Sequence, residues 1–317
     1  MIKQLWYWLI RRLLKYTAFI IAPFEQPFIS KYARRQSSYQ PIFIIGPPRS
    51  GSTILYQIIT EYLNVLFVDN LINMARGTTW FGFWLSYKCF GSKQHHSFKS
   101  NLGHTEGLHA PNEGLFWYKW LPKTKHFVKP WEINNKSKQK MTEFVYALIN
   151  KYHKPIVFKN LSFSVRLPLI KQMFPNTKII YIKRDPLYVA QSILVAKKRS
   201  GFPVEKVWSV NPKNSLELEQ YPPEKQAVHQ TYHLYQQIEE DLTLFDPDQV
   251  LTLWYEEIND THKLVEELKQ FMNCIFRQTQ PIETISPSNR KTIDDQTFET
   301  LKDEINMLDW TFLKNKL

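Results

Sequence analysis

The chain has only two cysteines among its 317 residues, Cys89 and Cys274, far apart and without CxxC or Cys/His ligand spacing. That speaks against a disulfide framework and a zinc site, and favours a reducing compartment. It also lacks an uninterrupted run of about 20 apolar residues, the length a bilayer span needs. Arg11, Arg12 and Lys15 break the apolar N-terminal stretch MIKQLWYWLIRRLLKYTAFIIAPF. No small-residue cleavage site follows it, so it does not read as a signal peptide. There is no internal repeat and no low-complexity tract. No recognised nucleic-acid module accompanies the basic charge, so nucleic acid is not an expected partner.

What is present is a chain with 43% hydrophobic residues, enough to bury one large core. Its net charge of +12 is uneven: residues 1–40 hold Lys3, Arg11, Arg12, Lys15, Lys31, Arg34 and Arg35 against Glu25 alone. The remaining excess suits a poly-anionic ligand or an acidic acceptor. At 100° per residue, Ile2, Leu5, Trp6, Leu9, Leu13, Tyr16 and Ile20 share one face, and Lys3, Gln4, Arg11, Arg12 and Lys15 another. This predicts an amphipathic helix in residues 1–24, lying peripherally on a membrane or packed on the domain. Residues 25–40 read as a linker, giving an N-terminal helix and linker over 1–40 and a catalytic domain over 41–317. The expected location is cytoplasmic, with peripheral contact at a membrane surface.

Short β-branched runs at Ile42–Ile45, Ile156–Phe158, Lys178–Ile182 and Val250–Trp254 alternate with helical patterns. They predict a single α/β domain with a central parallel sheet flanked by helices. The aromatic-rich stretch 65–150 is too long for a simple crossover and is expected to supply most acceptor contacts.

The first strand runs into Gly46-Pro-Pro-Arg-Ser-Gly-Ser-Thr53 and then a helical pattern. A strand, a Gly/Pro/Ser turn and a helix N-terminus together form an anion site, with backbone N–H groups of residues 49–53 and the Ser52 and Thr53 hydroxyls as donors. The spacing gives a P-loop-like core, GxxxxGK[ST], with Ser52 where the lysine would stand. That lysine serves the β- and γ-phosphates of a nucleoside triphosphate, so its absence disfavours a nucleoside or sugar kinase. A catalytically inactive nucleotide-binding protein is the other alternative. No metal is expected.

A second motif follows in KIIYIKRDPLYVAQS: Arg184 leaves a strand and Ser192 lies near two turns into the next helix, so both can reach one anion. Together, GPPRSGSTIL and KIIYIKRDPLYVAQS resemble the paired nucleotide motifs of the sulfotransferases that use 3′-phosphoadenosine 5′-phosphosulfate (PAPS), over roughly residues 41 to 275. The resemblance implies sulfuryl transfer from PAPS to an acceptor hydroxyl on a carbohydrate or glycolipid. It assigns Arg49, Ser50, Gly51, Ser52 and Thr53 to the 5′-phosphosulfate, and Arg184 with Ser192 to the 3′-phosphate. Arg290 is a looser candidate for closing over that phosphate. Leu253-Trp-Tyr-Glu-Glu-Ile258 resembles the family's C-terminal Tyr-Glu strand.

The small-molecule branch of that family carries Lys-Thr-His, lysine at the sulfuryl group and histidine as base. Here the residues are Lys159-Asn160-Leu161, so the lysine is present and the histidine is missing. A base must come from elsewhere, and Gly103–Glu113 offers His104, Glu106, His109 and Glu113. The carbohydrate and tyrosine branches resemble this alternative, using a glutamate between the two nucleotide motifs. Glu113, ahead of an aromatic run that would raise its pKa, is the first choice of base, with His109 second.

Overall fold

The computed structural model describes residues 2–34, 38–91, 93–101, 103–114, 116–277 and 282–313, with side chains except those of 2–10 and 15. Four short strands, β1 (Pro41–Ile45), β4 (Ile156–Phe158), β5 (Lys178–Lys183) and β6 (Val250–Trp254), form one parallel sheet in the order β4-β1-β5-β6. The register pairs Phe43 with Phe158 on one side and with Ile179 on the other, and Ile180 with Leu251. A two-residue antiparallel pair, β2 (Ser100–Asn101) and β3 (His104–Thr105), stands apart from it.

β1 is buried along its whole length, as a parallel strand covered on both faces must be. Side chains alternate across the sheet. Phe43, Ile45, Phe158, Ile179 and Tyr181 join the core beneath α5 (Asn135–Tyr152), α7 (Pro186–Arg199) and α9 (Pro223–Leu242). Ile42, Ile44, Val157, Ile180 and Ile182 face α2 (Ser52–Tyr62) and α10 (Thr261–Met272). The shorter α3 (Asn70–Met74), α4 (Thr79–Phe90), α6 (Leu167–Met173) and α8 (Ser215–Leu218) fill the connections, and α11 (Asp295–Asn306) closes on α7 and α9. The expected α/β architecture is the observed one.

The linker expected over 25–40 is in part helix: α1 runs Ile2–Ala33 through Pro23 and Pro27. An internal proline costs roughly 3 kcal/mol of helix stability, and tertiary contacts offset it here. Ile29 is buried, the Glu25 carboxylate accepts the Phe81 N–H at 2.8 Å, and Asn150 of α5 donates to the Tyr32 carbonyl at 2.9 Å. Leu13, Tyr16, Phe19, Ile20, Phe24 and Phe28 of this helix are exposed. On the two faces expected for residues 1–24, the side chains of Ile2, Lys3, Gln4, Leu5, Trp6, Leu9 and Lys15 lie outside the described residues, as does Arg35 of the basic set. No helix of the described residues is long and apolar enough to cross a membrane.

Candidate active site

The chain between β1 and α2 reverses tightly over a few residues. Gly46 and Gly51 have φ of 153° and 97°, which favour glycine. A Cβ on Gly46 would stand 2.5 Å from the Ile182 carbonyl, and one on Gly51 2.3 Å from the Tyr255 ring. Arg49 takes φ 69° between them, a conformation that costs a side-chain-bearing residue free energy and is held by its surroundings. The buried Ser164 hydroxyl pins the start of the loop, accepting the Gly46 N–H at 3.0 Å and donating to the Gly46 carbonyl at 2.9 Å. α2 then begins at Ser52 with no side-chain cap, which leaves its first N–H groups available to an anion.

Two guanidinium groups meet at this loop. Arg49 donates from Nε to Ser192 Oγ at 2.9 Å, and Arg184 donates from Nη1 to the Arg49 carbonyl at 3.0 Å. Arg184 also bonds Asn289 Oδ1 and the Ser288 carbonyl, each at 2.9 Å, and lies over the Tyr255 ring at 4.5 Å. The buried Tyr235 hydroxyl clamps the Arg184 backbone, accepting its N–H at 2.9 Å and donating to its carbonyl at 2.6 Å. Asp185 does not pair with Arg184. Its carboxylate caps α7 at the Leu187 N–H instead, 2.9 Å away. Burial first, then Arg184 and Arg199, lower the Arg49 pKa, and burial lowers that of Arg184. Neither arginine forms an ion pair with a carboxylate among the described residues. Two like charges held together in this way are stabilised by an anion between them.

Beside this loop opens a cavity of about 500 Å³, lined among others by Arg49, Thr53, Glu113, Lys159 and Arg184. Glu113 is buried; one carboxylate oxygen accepts the Lys159 backbone N–H and the other the Trp117 indole N–H at 2.8 Å. Burial outweighs these bonds and the nearby Lys159 charge, and raises its pKa to about 8. Lys159 Nζ donates to Thr53 Oγ1 at 3.4 Å, and burial lowers its pKa despite Glu113.

Most of the predicted site residues are brought together. Arg49, Gly51, Ser52, Thr53, Glu113, Lys159 and Arg184 share the cavity wall, and Ser192 touches Arg49 behind it. Ser50 is not in the wall: it is fully buried, with its N–H on the Pro47 carbonyl. Arg290 is exposed beside the Arg184 partner Asn289, and its carbonyl accepts from Gln191 at 3.0 Å. His109 lies outside this cavity. Its Nδ1 bonds Asp69 at 3.0 Å and its Nε2 the Lys93 carbonyl at 3.2 Å, with the ring stacked on Phe90. His104 lines the cavity and Glu106 is exposed. The side chain of His95, outside this cavity, is buried against Glu61, and desolvation pushes its pKa down to about 3. The cavity also draws on His126, Trp208, Ser209 and Val210, beyond the 65–150 stretch in part, and these, with Tyr235 and Asn289, carry no local sequence signal. Of the aromatic residues in that stretch, Trp80, Phe83 and Trp117 are core, Tyr118 lines the cavity and Trp84 is exposed.

A sulfotransferase family model matches residues 41–277. Similar proteins include the omega-hydroxy-beta-dihydromenaquinone-9 sulfotransferase Stf3 of Mycobacterium bovis and of Mycobacterium tuberculosis, each 22% identical over 243 residues, or 69% of this chain and 58% of theirs. The chain thus spans less than two thirds of the length of these curated relatives. Among solved structures, sulfotransferase STF9 from Mycobacterium avium aligns with TM-score 0.49 and 11% identity over 89% of this chain and 71% of that one. STF1 from Mycobacterium tuberculosis aligns with TM-score 0.49 and 14% identity over 94% and 82%.

Proposed function

The chain belongs to the sulfotransferase family, and from that premise we propose that it transfers a sulfuryl group from PAPS to a hydroxyl of a glycolipid or glycan acceptor. The observation that carries the reading is the meeting of Arg49, Arg184 and Ser192 at a cavity that Lys159, bonded to Thr53 of the same loop, and Glu113 also line. The donor set fits a nucleotide with two anionic groups: two arginines without carboxylate partners among the described residues, an uncapped helix start and a lysine. In this reading Thr53, Ser52 and Lys159 hold the phosphosulfate end, and Arg184 with Ser192 hold the 3′-phosphate.

The reaction forms a bond from the acceptor oxygen to sulfur as the sulfur–oxygen bond to the 5′-phosphate breaks, and that electron pair leaves on the phosphate. Glu113 takes the hydroxyl proton. Its raised pKa suits that task better than an ordinary carboxylate's, because a base should titrate near the working pH. Lys159 and Arg49 place positive charge where negative charge develops. A lipid-bearing acceptor is supported by the relatives named for a menaquinone sulfotransferase and by the exposed apolar row on α1 from Leu13 to Phe28. Arg11 and Arg12 of the same helix would favour an anionic membrane surface. The test is product formation from PAPS with glycolipids, free glycans and phenols as acceptors; a preference for phenols would remove the glycolipid assignment.

A further inference from the structure

Two loops from distant parts of the chain are tied down at the wall of the same cavity. Arg166, almost wholly buried, donates to the carbonyls of Pro122 at 3.0 Å and of Lys125 and His126 at 2.6 Å each, fixing residues 122–126. Gln230, equally buried, donates to the carbonyls of Trp208 and Val210 at 2.7 and 2.8 Å. Between those two carbonyls Ser209 is held at φ 66°, a conformation uncommon outside glycine, kept there by its surroundings. The loops meet where the Asn211 N–H donates to His126 Nδ1 at 3.1 Å.

That bond fixes the tautomer. A nitrogen accepting an amide N–H carries no proton, so in the uncharged ring the proton sits on Nε2. Burial and the Arg166 charge lower the His126 pKa and favour the uncharged ring, as an accepted N–H does, while the Asn211 side chain opposes them. Nε2 has no hydrogen-bond partner among the described residues, and His126 lines the cavity with Trp208 and Ser209. We infer that His126 is an acceptor-recognition residue whose Nε2–H donates a hydrogen bond to an oxygen of the hydroxylated acceptor beside the one that reacts. A ring that presents a donor here has no free lone pair for the hydroxyl proton, so His126 does not replace the missing family histidine as base. The inference rests on the proposed sulfuryl transfer for its substrate and on geometry alone for its tautomer.

Octyl β-glucoside serves as a simple glycolipid probe. Nitrogen-15 NMR of the free protein at pH 7 is expected to show the Nε2–H tautomer of His126, with its Nε2 resonance shifting when the probe is added with 3′-phosphoadenosine 5′-phosphate. These readouts do not depend on turnover, so they separate this inference from the sulfotransferase reading. An Nδ1–H tautomer, an imidazolium or an unshifted resonance overturns it. In turnover assays H126N keeps an acceptor for the Asn211 N–H and loses the donor. It should raise the KM for the probe up to about tenfold, the worth of one hydrogen bond, with kcat and the KM for PAPS unchanged. H126Q, whose amide reaches the Nε2 position, should restore most of the difference. An equal rise in both KM values, or none, assigns His126 to loop structure alone.

Discussion

The reading of the site turns on Glu113, a carboxylate whose two oxygens are held by the Lys159 and Trp117 N–H groups while its burial opposes ionisation. With a pKa near 8 the basic form is scarce at neutral pH. The kcat should therefore rise as pH climbs through about 8, then fall where Lys159, held below the usual lysine range by burial, loses its proton. E113Q should remove the rising limb and lower turnover on the order of 10²-fold with PAPS affinity little changed. It also sets an amide N–H against one of the two donors, a mismatch of roughly 1–3 kcal/mol, so a fall in Tm should accompany it. A variant that keeps near-normal turnover and the same pH profile would show that Glu113 is structural. In the same cavity, R184A should weaken PAPS binding more than binding of adenosine 5′-phosphosulfate, which lacks the 3′-phosphate. The difference is roughly 1.5–3 kcal/mol for a charged hydrogen bond, and calorimetry showing equal losses would contradict the assignment.

Among the elements, the strands were legible because all four are mostly apolar runs, and β1 and β4, buried along their whole length, have little freedom to be anything else. The anion loop and the start of α7 at Pro186 were legible from local chemistry in the same way. Tyr235, Asn289, Arg166, Gln230 and His126 were not, since each acts through a partner at least 20 residues distant and no local pattern marks it. The end of α1 was misread for a related reason: Pro23 and Pro27 are local helix-ending signals, and the contacts of Glu25, Ile29 and Tyr32 that override them are long-range. Gly51 links two elements, because its missing Cβ lets the Tyr255 ring lie over it and beneath Arg184. G51A should displace that ring and disfavour φ 97°, costing at least about 1–2 kcal/mol of stability together with most PAPS affinity. Unchanged PAPS binding in G51A would mean that the Tyr255 and Arg184 arrangement is not needed for the nucleotide.

For the whole molecule, the exposed apolar row on α1 and its neighbouring basic residues make contact with an anionic membrane the expected partner interaction. Replacing Phe19, Ile20, Phe24 and Phe28 together by serine should abolish flotation with phosphatidylserine-containing vesicles and leave PAPS affinity intact. High salt should weaken the wild-type interaction. Flotation that survives the substitutions would place the contact elsewhere, and a protein that ignores vesicles altogether would make α1 a packing helix only. Sulfuryl transfer itself is measured in one assay: the protein is incubated with sulfur-labelled PAPS and a glycolipid acceptor, and labelled product is measured against 3′-phosphoadenosine 5′-phosphate released. Equal amounts of the two are expected, lost in R184A and reduced on the order of 10²-fold in E113Q. Consumption of ATP with phosphorylated product, or no labelled product from any hydroxylated acceptor, would contradict it.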